Sequence, residues 1–170
     1  MSTLNVSLES PQSGWMSLRL RAGEQSLVMG VSCSPDDSLL DLIKGLTDIL
    51  EGSGHVRVWW NCEPEQFDFE IATEGDMAQL IVTRYPDHRR DSQAGQAVFS
   101  VHMPKSDFCF PFWKELRGLE RRSETDVFAQ NWRRPFPRRE MQEFTRLVRK
   151  LRREMRQVRR QETENRRQNE

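Results

Sequence analysis

Val56-Arg57-Val58-Trp59-Trp60-Asn61-Cys62-Glu63-Pro64-Glu65-Gln66-Phe67-Asp68-Phe69-Glu70-Ile71 alternates apolar and polar side chains on both sides of a short polar break. Alternation with period two marks a half-buried strand, and a short polar break between two such runs makes them antiparallel neighbours. Val56, Val58 and Trp60 therefore share one face, Phe67, Phe69 and Ile71 share another run, and residues 61–66 turn the chain. Beyond Glu74-Gly75-Asp76 the pattern resumes over 79–85 and is stopped by Pro86-Asp87. After a polar loop, 88–95, Ala97, Phe99, Val101 and Met103 alternate on a last strand. Upstream, Met16, Leu18 and Leu20, then Leu27, Met29, Val31 and Cys33, read as a hairpin closed by Ala22-Gly23-Glu24-Gln25.

A helix lies between the two groups of strands. Ser34-Pro35-Asp36-Asp37 is a start signal, with a capping hydroxyl, an early Pro and acids facing the positive helix end. Leu39, Leu42, Ile43, Leu46, Ile49 and Leu50 follow at three- and four-residue spacing, and Gly52 and Gly54 end the run. The later chain is helical. Phe112, Trp113, Leu116 and Leu119 form a stripe, and a short piece spans 127–132. Met141, Phe144, Leu147, Val148, Leu151, Met155 and Val158 then line one side of a last helix. The expected fold is α+β: an antiparallel meander sheet of five to six strands in the order ββαββββ. One amphipathic helix follows strand 2, and two to three helices close the chain. Residues 1–13 are expected to be flexible, 14–158 to form a single α+β domain, and 159–170, which are wholly polar, to be a disordered tail.

The 170 residues suit one core, with 36% apolar and 31% charged residues. No stretch approaches the roughly 18 apolar residues of a membrane span. The first residues are polar and acidic, unlike a signal peptide, and Cys33, Cys62 and Cys109 are too few and too far apart for a disulfide framework. A cytoplasmic location is expected. The formal net charge of zero conceals an asymmetry. Residues 1–105 hold 8 Lys/Arg against 15 Asp/Glu, net −7, and residues 106–170 hold 18 against 11, net +7. Arg outnumbers Lys 22 to 4, which composition bias alone can produce.

Motifs for chemistry are sparse. Phosphate-binding glycine loops are missing, since Gly52-Ser53-Gly54 follows a helix where a phosphate cradle precedes one. His55, His88 and His102 are not at metal-ligand spacing to one another or to a Cys, and no Cys-x-x-Cys or serine elbow occurs. Cys62 in its turn reads as an ordinary turn residue before it reads as a nucleophile. No catalytic residue, metal or cofactor is assigned, and the expectation is a protein that is not an enzyme. Two charged surfaces remain. Glu63, Glu65, Asp68, Glu70, Glu74 and Asp76 gather around one hairpin. They read as a solvated strand face, as carboxylates for a cation or for acid–base work, or as contacts for a basic partner. Arg146, Arg149, Arg153, Arg156 and Arg160, with Lys150, Arg152 and Arg159, offer a basic helix for phosphates or for an acidic partner, although no nucleic-acid-binding motif accompanies them.

Three pieces carry a resemblance: the helix from Leu39 to Leu50, the hairpin with Glu63-Pro64 in its turn, and Asn131-Trp132-Arg133-Arg134-Pro135-Phe136-Pro137 before the last helix. Over residues 36–150 the chain resembles a loose group of uncharacterised bacterial proteins with an acid–Pro turn and a Trp-x-x-x-Phe-Pro segment. Such proteins are similar to the immunity proteins encoded beside polymorphic interbacterial toxins. The resemblance implies a binding protein that neutralises a cognate toxin directly, and it carries over no catalytic residue. A nucleic-acid-associated protein using the Arg-rich helix is the alternative.

Overall fold

A computed structural model describes residues 2–168, arranged as β1 (Leu4–Leu8), β2 (Trp15–Ala22), β3 (Gln25–Ser32), α1 (Ser38–Leu50), β4 (His55–Asn61), β5 (Gln66–Glu74), β6 (Met77–Tyr85), β7 (Gln96–Pro104), α2 (Lys105–Arg122), α3 (Phe128–Trp132) and α4 (Arg138–Gln168). The class is α+β and the strands are antiparallel, but they do not form one meander sheet of five to six strands. There are two sheets, β1-β2-β3 and β4-β5-β6-β7. The two groups of strands are joined through α1, a crossover that does not require the strands on either side of it to be neighbours, and β3 and β4 are not hydrogen-bonded to each other.

The first sheet gains a strand from a segment expected to be flexible. Within residues 1–13, Leu4, Val6 and Leu8 alternate inward and are buried, and β1 pairs with β2 from Leu4↔Ala22 to Leu8↔Leu18. Its far edge is closed by α2: the Leu8 amide donates to Glu115 Oε2 at 3.3 Å, and the Leu8 carbonyl accepts from the Arg122 guanidinium. Covering an edge in this way satisfies backbone groups that would otherwise invite pairing with another chain. The two sheets are tied where β3 begins. The Gln25 carboxamide donates to the Ser100 carbonyl and accepts from the Ser100 amide, both at 2.9 Å.

Helix α1 covers the second sheet beside β4 with Leu39, Leu42, Ile43, Leu46 and Ile49 fully buried. Its cap is Asp37 rather than Ser34, since the Asp37 carboxylate accepts from the Leu40 amide at 3.3 Å. The same carboxylate accepts from Trp132 Nε1 at 3.2 Å, which fastens the start of α1 to α3. Gly45 lets the helix approach β4 closely, for a Cβ there would lie 2.5 Å from Val56 Cγ1. Phe108, Phe112, Leu116 and Leu119 of α2, and Met141, Phe144 and Val148 of α4, complete a core shared by both sheets.

Residues 159–168 are the last turns of α4 and not a disordered tail; Met1, Asn169 and Glu170, which belong to the expected flexible ends, lie outside the described residues. Arg, Gln and Glu are good helix formers, and extending a helix already nucleated by packing requires only one further residue ordered per hydrogen bond. No helix among the described residues is long and apolar enough to cross a membrane.

Candidate partner-binding surfaces

The six carboxylates at the third hairpin do not converge. Glu63 and Glu65 stand at the β4–β5 turn, Glu74 at the far end of β5 and Asp76 in the β5–β6 turn, a separation of about 30 Å from Glu65 to Glu74 at roughly 3.3 Å per residue. Asp68 and Glu70 share the outer face of β5, opposite Phe67 and Phe69, as alternation requires. Their environments differ. Glu70 is half-exposed and paired with Arg57 across the strand, and Glu65 lies 3.7 Å from Arg84. Asp68 is buried at 1% exposure.

What buries Asp68 is the loop joining β6 to β7. Residues 86–95 fold back across the outer face, where Gly95 packs so tightly that a Cβ would lie 2.8 Å from the Tyr85 ring. Arg90, held in the left-handed region at φ +48°, donates from Nε to Asp68 Oδ1 at 2.7 Å. Arg57 Nε stands 3.8 Å from the other carboxylate oxygen. The Arg90 guanidinium also lies over the Trp59 ring, 4.8 Å from its centroid. Trp59 pairs with Asp68 in register and remains 46% exposed, whereas its neighbour Trp60 is fully buried. The outcome is an exposed indole clamped from one side by a cation that is itself anchored to a buried carboxylate. Cation–π contacts of this kind contribute about 0.5–1 kcal/mol at exposed sites, and their main effect here is to hold the ring in one position.

Asn61 Nδ2, Gln66 Oε1, Trp60 Nε1 and Arg90 Nη2 are buried with no hydrogen-bond partner among the described residues, the Trp60 indole on the core side of the sheet. Burial, reinforced by the nearby Glu65 and opposed by Arg90, pushes the Cys62 thiol up to about 12, so its nucleophilic thiolate is scarce at neutral pH. Burial does the same to Cys109 in α2, also to about 12. His55, His88 and His102 are all exposed, and among the described residues no group of three or more His, Cys, Asp or Glu is placed to hold a metal ion.

The basic residues are better gathered. Arg146, Arg149, Arg153, Arg156 and Arg160 follow three- and four-residue steps and form one ridge on the exposed side of α4. Arg146 is engaged by Glu143 at 2.6 Å. Between α2 and α4 an open trough of about 1090 Å³ is bordered by Arg117, Arg138, Arg139, Arg146, Arg149 and Arg153, with Glu120 and Glu143 as its acids. The apolar side of the same helix leaves the body. Burial ends at Val148; Leu151 and Met155 are half-buried and Val158 is 53% exposed.

Trp59 was within reach of sequence reasoning, because Val58 and Trp60 point inward and the residue between them must point out. Arg90 was not, because nothing local to residues 86–95 announces that the loop returns to a strand 22 residues earlier. Compared with known protein families, curated proteins and solved structures, the chain matches none.

Proposed function

We propose that the chain is a non-enzymatic protein-binding protein of the immunity type, which neutralises a cognate antibacterial toxin by covering part of its surface. The observation that carries this reading is the construction around Trp59: a large exposed aromatic, fixed by Arg90 and flanked on its own face by the Arg57–Glu70 pair. Trp and Arg dominate binding energy at interfaces, and an anchor fixed in advance loses little entropy when a partner covers it. Buried ion pairs such as Asp68–Arg90 add little net stability over apolar side chains of the same size, so a role in setting geometry accounts for its presence better than stability does. Glu70 shares the face of this anchor and Glu63 and Glu65 stand at the turn after β4; these three favour a basic partner, whereas Glu74 and Asp76 belong to the far end of the sheet. Asp68 acts through Arg90 rather than by contact.

The test is affinity capture from the native host with tagged protein, followed by the Trp59→Ala variant. One stoichiometric partner that survives moderate salt is expected, with binding weakened by 2 kcal/mol or more, roughly 30-fold, in the variant. Its melting temperature should stay close to that of the parent, because the indole is already half in water. Recovery of nucleic acid or of nothing, or an unchanged affinity in Trp59→Ala, would overturn the reading. A nucleic-acid function has one specific support: Arg139, Arg149 and Arg153 border the trough with no carboxylate in ion-pair range among the described residues. It would appear as affinity falling steeply with salt.

A further inference from the structure

Along α4, Arg139, Arg146, Arg149, Arg153, Arg156 and Arg160 are separated by steps of seven, three, four, three and four residues, so they share one side of the helix. The core makes no use of that side, since it is Met141, Phe144 and Val148 that are buried. Its first half is one wall of the trough of about 1090 Å³, and α2 is the other. The floor includes Thr145, whose hydroxyl accepts from Trp113 Nε1 at 3.1 Å and ties the two helices together. Six arginines line the trough against two carboxylates. Both carboxylates are already engaged, Glu120 by Arg117 and Arg138, and Glu143 by Arg146. Arg139, Arg149 and Arg153 are exposed and have no carboxylate in ion-pair range among the described residues. The same holds for Arg156 and Arg160, which carry the line past the trough.

We propose that this trough holds single-stranded nucleic acid by its sugar–phosphate backbone, lengthwise along α4 and without regard to base sequence. Length decides against a compact anion. Arg139 to Arg153 spans about 21 Å at about 1.5 Å per residue, and Arg160 extends the line to about 31 Å. A chain of regularly spaced phosphates meets all five unpaired arginines at once. Width decides against a duplex, because packed helices stand about 8–10 Å apart and leave room between their side chains for one strand.

The lining decides against other anionic partners. It contains no apolar side chain, whereas a docked amphipathic helix needs apolar anchors and a membrane-bound face needs side chains to insert. Exposed ion pairs alone contribute little to a contact between proteins. Phosphates, by contrast, release condensed counterions when cationic side chains neutralise them, and the planar guanidinium fork matches their oxygens two at a time. No aromatic side chain lines the trough, so nothing there stacks on a base. The inference stands apart from the Trp59 reading, which concerns the outer face of the second sheet, and either can fail alone. The strand is released as salt rises, whereas the protein contact at Trp59 is expected to persist.

The test is fluorescence anisotropy of labelled oligothymidylate and oligoadenylate of about 16 nucleotides, the upper end of single-strand site sizes, with the full chain over a range of salt. Saturable binding of both, with closely similar affinity, is expected. Five neutralised phosphates give log K against log salt a slope of about −3.5, from about −0.7 per contact. Arg149→Gln/Arg153→Gln should reduce that slope by about 1.4, an affinity about 25-fold lower at about 0.1 M salt for a common 1 M intercept. Both side chains are exposed and Gln is a good helix former, so the melting temperature should hold. Arg19→Gln/Arg21→Gln takes the same charge from the outer face of the first sheet, and it should leave the slope unchanged, as should Trp59→Ala. An unchanged slope in the trough variant, or an equal fall in Arg19→Gln/Arg21→Gln, would reduce the effect to net charge and overturn the inference. So would the absence of saturable binding at low salt, or tighter binding of the duplex form. Displacement of the oligomer by a Glu-rich peptide or by inorganic polyphosphate at much lower charge concentration would overturn it in favour of that polymer.

Discussion

Removing the Arg90 guanidinium would leave the Asp68 carboxylate buried, with only Arg57 at 3.8 Å to balance it. Arg90→Ala should therefore lower unfolding stability by about 3–5 kcal/mol in urea titrations, the range for orphaning one partner of a buried pair. The double variant Asp68→Asn/Arg90→Gln should lose clearly less, because both charges leave together; equal losses would show that the loop, rather than the pair, had been disturbed. Asp68 was legible in the sequence as a strand residue on the outer face beside Glu70. Its burial was not, because alternation gives the direction of a side chain and says nothing of a loop that later closes over it. The same limit applies to Glu63, Glu65, Glu74 and Asp76. Proximity in sequence suggested one patch, and the length of β5 separates them into two.

Helix α1 and strand β4 meet where a missing side chain sets their distance. Gly45→Ala adds a Cβ 2.5 Å from Val56 Cγ1, which is closer than van der Waals contact allows. Although Ala favours a helix over Gly by about 1 kcal/mol, the overpacking should dominate, for a net loss of about 1–3 kcal/mol. Combining it with Val56→Ala should recover part of the loss, as chemical denaturation of the two single variants and the double would reveal. Elements with long, regular patterns were readable: α1 from its stripe, β2 and β3 from theirs, and β4 to β7 from alternation around the β4–β5 hairpin. Two elements were not. The inward set Leu4, Val6 and Leu8 is short, and it is held as a strand by its ladder with β2 and by α2 closing its free edge more than 100 residues away. Residues 159–168 hold no apolar stripe, so periodicity is silent, and their helix is inherited from the packed turns before them.

For the molecule as a whole, the sequence conveyed the class but not the division into two sheets, because no local signal says that β3 and β4 fail to pair. The shared core also sets a response to alkaline pH. Cys62 beside the second sheet and Cys109 in α2 both have thiols raised by burial from 9.0 to about 12. Above pH 9 the unfolded chain releases thiol protons that the folded chain retains, so the two contribute no penalty below pH 9 and a growing one between 9 and 12. The slope tends to about 1.4 kcal/mol per pH unit for each thiol. Between pH 8 and 10.5 the parent should therefore lose stability faster than Cys62→Ser/Cys109→Ala. Parallel curves would mean that the thiols ionise alike in both states. The Gln25 bridge to Ser100 has a further effect on how copies of this protein treat one another. By occupying both backbone groups of Ser100, it acts as a stopper at one point on an open seam, where a strand of another copy would otherwise begin to stack.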